Sequence, residues 1–246
     1  MKIIGVIPAR YGSTRLKGKP LMDICGKTMI QHVYEQVSKS ELIERVIVAT
    51  DDERIAKVVS EFGGEAVITS VDHPTGSDRV AEVVKNIDCD IVVNIQGDEP
   101  LIMPEIIDEI SKAALEDNKI NLTTGAYQIY TEKMFYDPNI VKVVTDKDNI
   151  ALYFSRSLIP YPRYDQNLEV FEHIGIYAFR KEFLLKYIKL ENTPLSINES
   201  LEQLKVLENG YKIKVVKTKH QYSAVSVDTF EDLEEVRKIV GAGMNL

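Results

Sequence analysis

Four short runs rich in β-branched residues punctuate the first hundred positions: "IIGVI" at 3–7, "RVIVAT" at 45–50, "EAVIT" at 65–69 and "DIVVNIQ" at 90–96. Each is short and almost unbroken by polar residues, the pattern of a strand covered on both faces. The segments between them have a different period. "TMIQHVYEQVSKS" sets Met29, Ile30, Val33 and Val37 on one helical stripe. "DDERIAKVVSEFGG" begins with acids and ends in glycines, the expected polarity of a helix. "SDRVAEVVKNI" aligns Val80, Val83, Val84 and Ile87, with Ser77 as its expected cap. Such β-α alternation predicts an α/β fold, a mostly parallel sheet with helices on both faces, because each return to a parallel strand must cross over the sheet.

The second half is less regular. "NLTTGAYQIY", "NIVKVVTD", "HIGIYAF" and "KIKVV" read as strands. "LSINESLEQLKVLENG" predicts a helix ending at Gly210, and "TFEDLEEVRKIVG" another, capped by Thr229. "ALYFSRSLIPYPRYDQNLEVFEH" breaks the alternation with prolines and tyrosines and predicts an extended arm on an antiparallel patch. No internal repeat, low-complexity tract or linker divides the 246 residues, so one domain over 1–246 is expected.

With 30 basic against 38 acidic residues the net charge is −8. That disfavours a general nucleic-acid binder, which needs a basic face to release counterions. No apolar run approaches a membrane span, and the start "MKIIGVIPAR" is too short and too soon charged for a signal peptide. Cys25 and Cys89 stand alone at non-metal spacing; buried thiols in a cytoplasmic chain are the expectation, with a disulfide between them left open.

Against that acidity, "IPARYGSTRLKGKPL" places Arg10, Arg15 and Lys19 among Gly12, Ser13 and Gly18 directly after the first strand. Open parallel sheets bind ligands beyond the carboxyl ends of their strands. Close backbone approach at glycine plus cationic donors suits a triphosphate; composition alone also allows a solvated basic loop. "GKT" at 26–28 lacks the preceding P-loop glycine, and no G-x-G-x-x-G follows the first strand. "NIQGDEP" sets Asp98 beyond the fourth apolar run, on the same edge. There it can cap a turn or, facing phosphates, hold Mg²⁺. "SVDTFEDL" reads as an apolar strand, Asp228 and a helix start, which fits the same metal role or a helix cap. "HPTGSDR" offers Arg79 near a helix start. None of the four histidines has metal spacing; His173 opens "HIGIYAF" and suits a ligand or a strand end equally.

Taken together, "IPARYGSTRLKGKPL", "HPTGSDR", "NIQGDEP", "ALYFSRSLIPYPR", "HIGIYAFR", "ESLEQLKVLENG" and "VDTFEDL" occur in the order found in the 3-deoxy-manno-octulosonate cytidylyltransferases. The chain resembles that family from about residue 3 to about residue 238. The resemblance implies a nucleotide-diphospho-sugar transferase fold, in which about 1–120 bind nucleotide, about 121–210 bind sugar and form a dimer, and 211–246 return to the core. It implies transfer of CMP from CTP to the acidic sugar Kdo, with Mg²⁺, in a cytoplasmic homodimer that serves lipopolysaccharide or capsule. By motif, Ala9, Arg10, Arg15, Lys19, Ser77, Arg79 and Gln96 would bind CTP. Asp98 and Asp228 would hold the metal and, with Arg15 and Lys19, do the chemistry. His173, Tyr177, Glu202 and Gln203 would line the sugar site, with Arg156 or Arg163 near its carboxylate. The chain departs from the family pattern at Lys17, Ser196, Ser226 and Phe230. Ser196 lies close to the sugar-site helix, so another acidic sugar, an amino analogue of Kdo or a nonulosonate, remains an alternative. A non-catalytic nucleotide sensor is a further one.

Overall fold

The computed structural model describes residues 1–12, 16–164, 169–220 and 226–243. Its strands are β1 (Ile3–Ala9), β2 (Asp23–Ile24), β3 (Lys27–Thr28), β4 (Arg45–Thr50), β5 (Ala66–Ile68), β6 (Ile91–Asn94), β7 (Leu122–Ile129), β8 (Lys142–Thr145), β9 (Ala151–Ser155), β10 (Val170–Arg180) and β11 (Ile213–Lys217). Its α-helices are α1 (Met29–Val37), α2 (Glu53–Glu61), α3 (Gly76–Val84), α4 (Pro104–Glu116), α5 (Glu132–Tyr136), α6 (Lys181–Tyr187), α7 (Pro194–Glu199), α8 (Leu204–Glu208) and α9 (Phe230–Gly241).

The main sheet runs β11-β7-β10-β6-β1-β4-β5. β6, β1, β4 and β5 are parallel, as the alternating sequence predicts. The break comes at β10, antiparallel to both β6 and β7, while β11 pairs with β7 in parallel. β8 and β9 form an antiparallel extension from β10, the patch expected around the tyrosine-rich arm.

Alternation within each buried strand feeds two cores. Ile3, Ile7, Val46, Val48, Ile91 and Val93 face α1, α2 and α4 on one side. Ile4, Val6, Ile47, Ala49 and Val92 face α3 and α6 on the other. Period-two side chains in a sheet covered twice leave no polar face, which is why the sequence shows continuous apolar runs.

A third, smaller cluster fixes the C-terminus. Leu16, Ile24, Met29 and Leu101 pack against Val227, Leu233 and Val236. Thr229 caps α9 as expected and forms a capping box with Asp232, whose carboxylate accepts from the backbone N–H groups of Asp228 (2.9 Å) and Thr229 (2.7 Å).

Several local readings need correction. The cap of α3 is Thr75, whose side chain accepts from the Asp78 N–H; Ser77 lies inside the helix and is buried. The stretch 195–210 is two short helices, split where Ser200 takes a left-handed conformation at φ 53°. His173 is the fourth residue of β10, not its opening. Residues 226–229 lie outside any strand, so Asp228 does not follow one directly. Cys25 is exposed and only Cys89 is buried; both are free thiols. Helix α4 carries none of the seven segments on which the resemblance rests, yet its Ile106, Ile107 and Ile110 fill the first core. No helix among the described residues is long and apolar enough to cross a membrane.

Candidate active site

A cleft of about 320 Å³ opens beyond the carboxyl ends of β1 and β6, the edge where open α/β sheets bind ligands. It is bordered by Ala9 and Arg10 at the end of β1, by Lys19, by the start of α3, by Gln96, Gly97 and Asp98 after β6, and by Glu202 and Asp228. Eight of the residues expected from sequence thus meet here: Ala9, Arg10, Lys19, Arg79, Gln96, Asp98, Glu202 and Asp228. Arg15 lies outside the described residues, as do 221–225, just before the Asp228 segment.

The basic loop is built to present Lys19. Gly18 sits at φ 70°, a conformation that disfavours side chains, and its N–H donates to Tyr11 O at 3.0 Å. A 3₁₀ turn over Lys19–Leu21 follows, with Pro20 buried. The Tyr11 ring is covered by the Arg54 guanidinium at 3.4 Å from its centroid. From this turn Lys19 Nζ donates to Asp98 Oδ2 (2.7 Å), Asp228 Oδ1 (3.2 Å) and the Val227 carbonyl (2.9 Å).

Asp98 and Asp228, 130 positions apart, therefore share one cation. A backbone bond from Val227 N–H to Asp98 O at 2.9 Å joins their two segments. The packing of Val227 against Leu16 and Leu101 explains how a coil residue reaches the ligand edge without a strand of its own. Asp228 is not a helix cap; Thr229 has that role. Gly97 passes so close to β1 that a Cβ there would meet the Pro8 carbonyl oxygen at 2.9 Å. The glycine lets the Asp98 loop lie against the strand end.

Around this centre the expected nucleotide residues take distinct positions. Arg79 is buried and held by Asp51, Nη2 to Oδ2 at 2.9 Å, and by the Thr69 hydroxyl. Its charge is matched inside the protein, so it shapes the cleft wall at the start of α3. Ser77 lies deeper and accepts from Asn94 Nδ2 at 3.4 Å. Gln96 donates to the Gly175 carbonyl at 3.3 Å, at the irregularity where the β10 register shifts between Ile174 and Tyr177.

The expected sugar residues form a second tier. His173 and Tyr177 have ring centroids 5.4 Å apart, and a ladder of rings continues through Phe179 to Tyr187, whose hydroxyl donates to Glu202 at 3.0 Å. His173 is buried, which pushes its imidazole down to about 3 and keeps it neutral. The Thr124 hydroxyl is within 2.7 Å of the Ile176 carbonyl and 2.9 Å of His173 Nε2. With the hydroxyl proton on that carbonyl, Nε2 carries hydrogen and donates to Thr124. Burial raises the pKa of the Tyr177 and Tyr187 hydroxyls and of the Glu202 carboxyl, and so disfavours their ionised forms. Gln203 is buried. Only Glu202 of this group borders the cleft; His173 and Tyr177 stand behind it.

Arg156 and Arg163 lie on the arm and do not border this cleft. Arg156 is tied to α7, its N–H on Glu199 Oε2 (2.9 Å) and its Nε on Glu199 O (2.7 Å), and Nη1 donates to Pro138 O. Arg163 is exposed beside Tyr164. Ser196, the departure nearest the sugar helix, is buried in the first turn of α7, where it closes a capping box with the N-cap Thr193 and so has a structural role of its own.

Two buried groups and one half-buried carboxylate had no local signal in the sequence. Lys142 is fully buried and gives its ammonium protons to the carbonyls of Asp137 (2.8 Å), Ile140 (2.7 Å) and Arg156 (2.7 Å); burial lowers its pKa. Glu172, paired with Lys142 across β8 and β10, accepts from Tyr127 and is pushed up to about 7 by burial. Asp51 is the third, being the partner that neutralises Arg79.

This geometry agrees with what the chain is similar to. The cytidylyltransferase family model matches residues 4–213. A 3-deoxy-manno-octulosonate cytidylyltransferase of Geotalea uraniireducens is 51% identical over 247 residues, covering 96% of this chain and 98% of its own length. One from Fusobacterium nucleatum is also 51% identical, covering 96% of each chain. The solved structure of a CMP:2-keto-3-deoxy-manno-octonic acid synthetase complexed with CTP superimposes with a TM-score of 0.94 at 41% identity, over 99% of this chain and 100% of that one. The chain belongs to the cytidylyltransferase family, with the 3-deoxy-manno-octulosonate cytidylyltransferases.

Proposed function

We propose that this protein transfers CMP from CTP to the anomeric hydroxyl of Kdo, giving CMP-Kdo and pyrophosphate. The observation that carries the reading is the convergence of Lys19, Asp98 and Asp228 in one cleft beyond β1 and β6. Arg10, Arg15 and Lys19 bind the triphosphate, and the nucleoside lies toward Ala9, Gln96 and the start of α3. The sugar approaches from the Glu202 side. Its hydroxyl oxygen forms a bond to the α-phosphorus as the bridging bond to the β-phosphate breaks, and the hydroxyl proton passes to solvent in the open cleft. The protein's part is positioning and charge neutralisation, the larger share of the work in phosphoryl-group chemistry. Arg15 and Lys19 stabilise charge on the departing pyrophosphate.

Asp98 and Asp228 fit Mg²⁺. Two carboxylates already share one cation, and this ion prefers one or two carboxylates together with substrate phosphates. When bound, the ion would neutralise the triphosphate and lower the pKa of the hydroxyl. Tyr187 and the buried Ser77–Asn94 pair support the floor under the nucleotide and Glu202. His173, Tyr177 and Gln203 hold the wall behind Glu202, and Arg156 or Arg163, on the arm, would meet the sugar carboxylate. The chain works as one unit, with 1–120 for nucleotide, 121–210 for sugar and dimerisation, and 211–246 completing the site through Asp228. It acts in the cytoplasm as a homodimer, supplying an activated sugar for lipopolysaccharide or capsule.

The test is pyrophosphate release measured across four nucleoside triphosphates and several acidic sugars, with Mg²⁺ present. CTP with Kdo is expected to give the highest kcat/KM. Equal or better release with an amino analogue or a nonulosonate would move the assignment to that sugar, and no release with any pair would leave a nucleotide sensor.

A further inference from the structure

Two carboxylates facing one cleft repel each other unless a cation stands near both. Here that cation is part of the chain. Lys19 Nζ lies 2.7 Å from Asp98 and 3.2 Å from Asp228, and 2.9 Å from the Val227 carbonyl. An ammonium has three protons, and these acceptors use all of them. The third acceptor, Val227 O, is neutral, belongs to the same segment as Asp228, and sits at a distance suited to nitrogen. The Lys19 side chain is also less exposed, at 14%, than Asp98 at 28% or Asp228 at 33%. It fills the inner side of the pair, and its backbone is held by the Gly18 turn and the buried Pro20.

We propose that Lys19 is the resident counter-ion of Asp98 and Asp228 in the nucleotide-free protein, and that it keeps a divalent cation out until a triphosphate draws the ammonium away. The proposal rests on reading the cleft as a triphosphate site. A divalent ion that took the same two carboxylates would stand beside a fixed positive charge in a partly desolvated cleft, where like charges repel far more than in water. Phosphate oxygens offer the ammonium new acceptors and release the carboxylates to the metal. Metal and nucleotide then raise each other's affinity, by the same factor in both directions. Free metal alone binds poorly, and a metal-loaded cleft without nucleotide is rare.

Mn²⁺ as the probe, with free ion counted by electron paramagnetic resonance, tests this directly. Nucleotide-free wild type is expected to bind Mn²⁺ at least tenfold more weakly than Lys19→Met. Lys19→Gln, which keeps a polar side chain without the charge, should tighten Mn²⁺ in the same direction and guards against a folding defect in the first variant. Adding Asp228→Asn to Lys19→Met should abolish the gained binding. Addition of an α,β-methylene analogue of CTP should tighten Mn²⁺ more in wild type than in Lys19→Met. Equal Mn²⁺ affinity in nucleotide-free wild type and both Lys19 variants overturns the proposal. That result would leave the pyrophosphate assay unaffected, so the two readings fail separately.

Discussion

Glu172→Gln should make the protein more stable at pH 8 than the wild type, by an amount that vanishes in acid. Glu172 is 9% exposed in β10, and burial moves its carboxyl from the ordinary 4.5 to about 7, although Tyr127 and Lys142 both favour the charged form. Between those values the folded state keeps a proton that the unfolded chain has released. Stability therefore falls as pH rises from about 4.5 to about 7, and stays lowered above that. A span of roughly 2.5 pH units at about 1.4 kcal/mol each sets an upper limit of about 3.5 kcal/mol. Glutamine cannot ionise, and its carbonyl can still accept from Tyr127. At about 2–4 °C per kcal/mol for a chain of this size, the variant's Tm at pH 8 should exceed the wild type's by up to roughly 14 °C. His173, beside it, works in the opposite direction: its lowered pKa makes stability fall as pH drops from 6.5 toward about 3. Both proteins retain that histidine, so the difference between their urea midpoints across pH 4.5–8 isolates Glu172. Parallel profiles would refute the reasoning and mean that Glu172 is solvated in the folded protein.

Other tests address the cleft and the arm. Asp98→Asn and Asp228→Asn should each lower metal-dependent turnover roughly a hundredfold or more, and the double variant should be scarcely worse, because the two act as a unit; losses that multiply in steady-state assays would reject a shared site. Gly97→Ala adds a methyl group 2.9 Å from the Pro8 carbonyl. It should cost about 1–3 kcal/mol in urea unfolding and lower turnover by moving Asp98; unchanged values would mean that the loop has slack. The exposed Leu152, Tyr161 and Tyr164 on and beyond β9 suit a partner subunit; light scattering at micromolar protein should give twice the chain mass, and a monomer mass would exclude the homodimer.

The relation between sequence and structure differs from element to element. β4 occupies the six residues of "RVIVAT", and the Thr229 cap starts α9 where its side chain allows. These are local events: a period of two or 3.6 and a capping hydroxyl act within a few residues of themselves. The basic loop and Asp98 were legible for the same reason, since each follows an apolar run and a parallel sheet sends every such end to one edge. The family motifs carried the remaining candidates, including Glu202, whose contact with the cleft no local pattern reveals.

Tertiary structure decided everything that depends on distant partners. Asp228 meets Asp98 because Val227, Leu233 and Val236 bury themselves against Leu16 and Leu101, an apolar contact with no trace in either local pattern. Arg79 looks like a free ligand for a nucleotide until Asp51 is seen beside it. Lys142 reads as an ordinary polar position in a strand, yet three backbone carbonyls surround its ammonium. Helical pattern alone joined 195–210 into one helix, and the left-handed Ser200 divides it. The sequence by itself determined the parallel strands, the α9 cap and the ligand edge, because short-range sterics and periodicity act along the chain. Which charges pair, which are buried and which remain for substrate are settled only when packing brings distant segments together and removes the water between them.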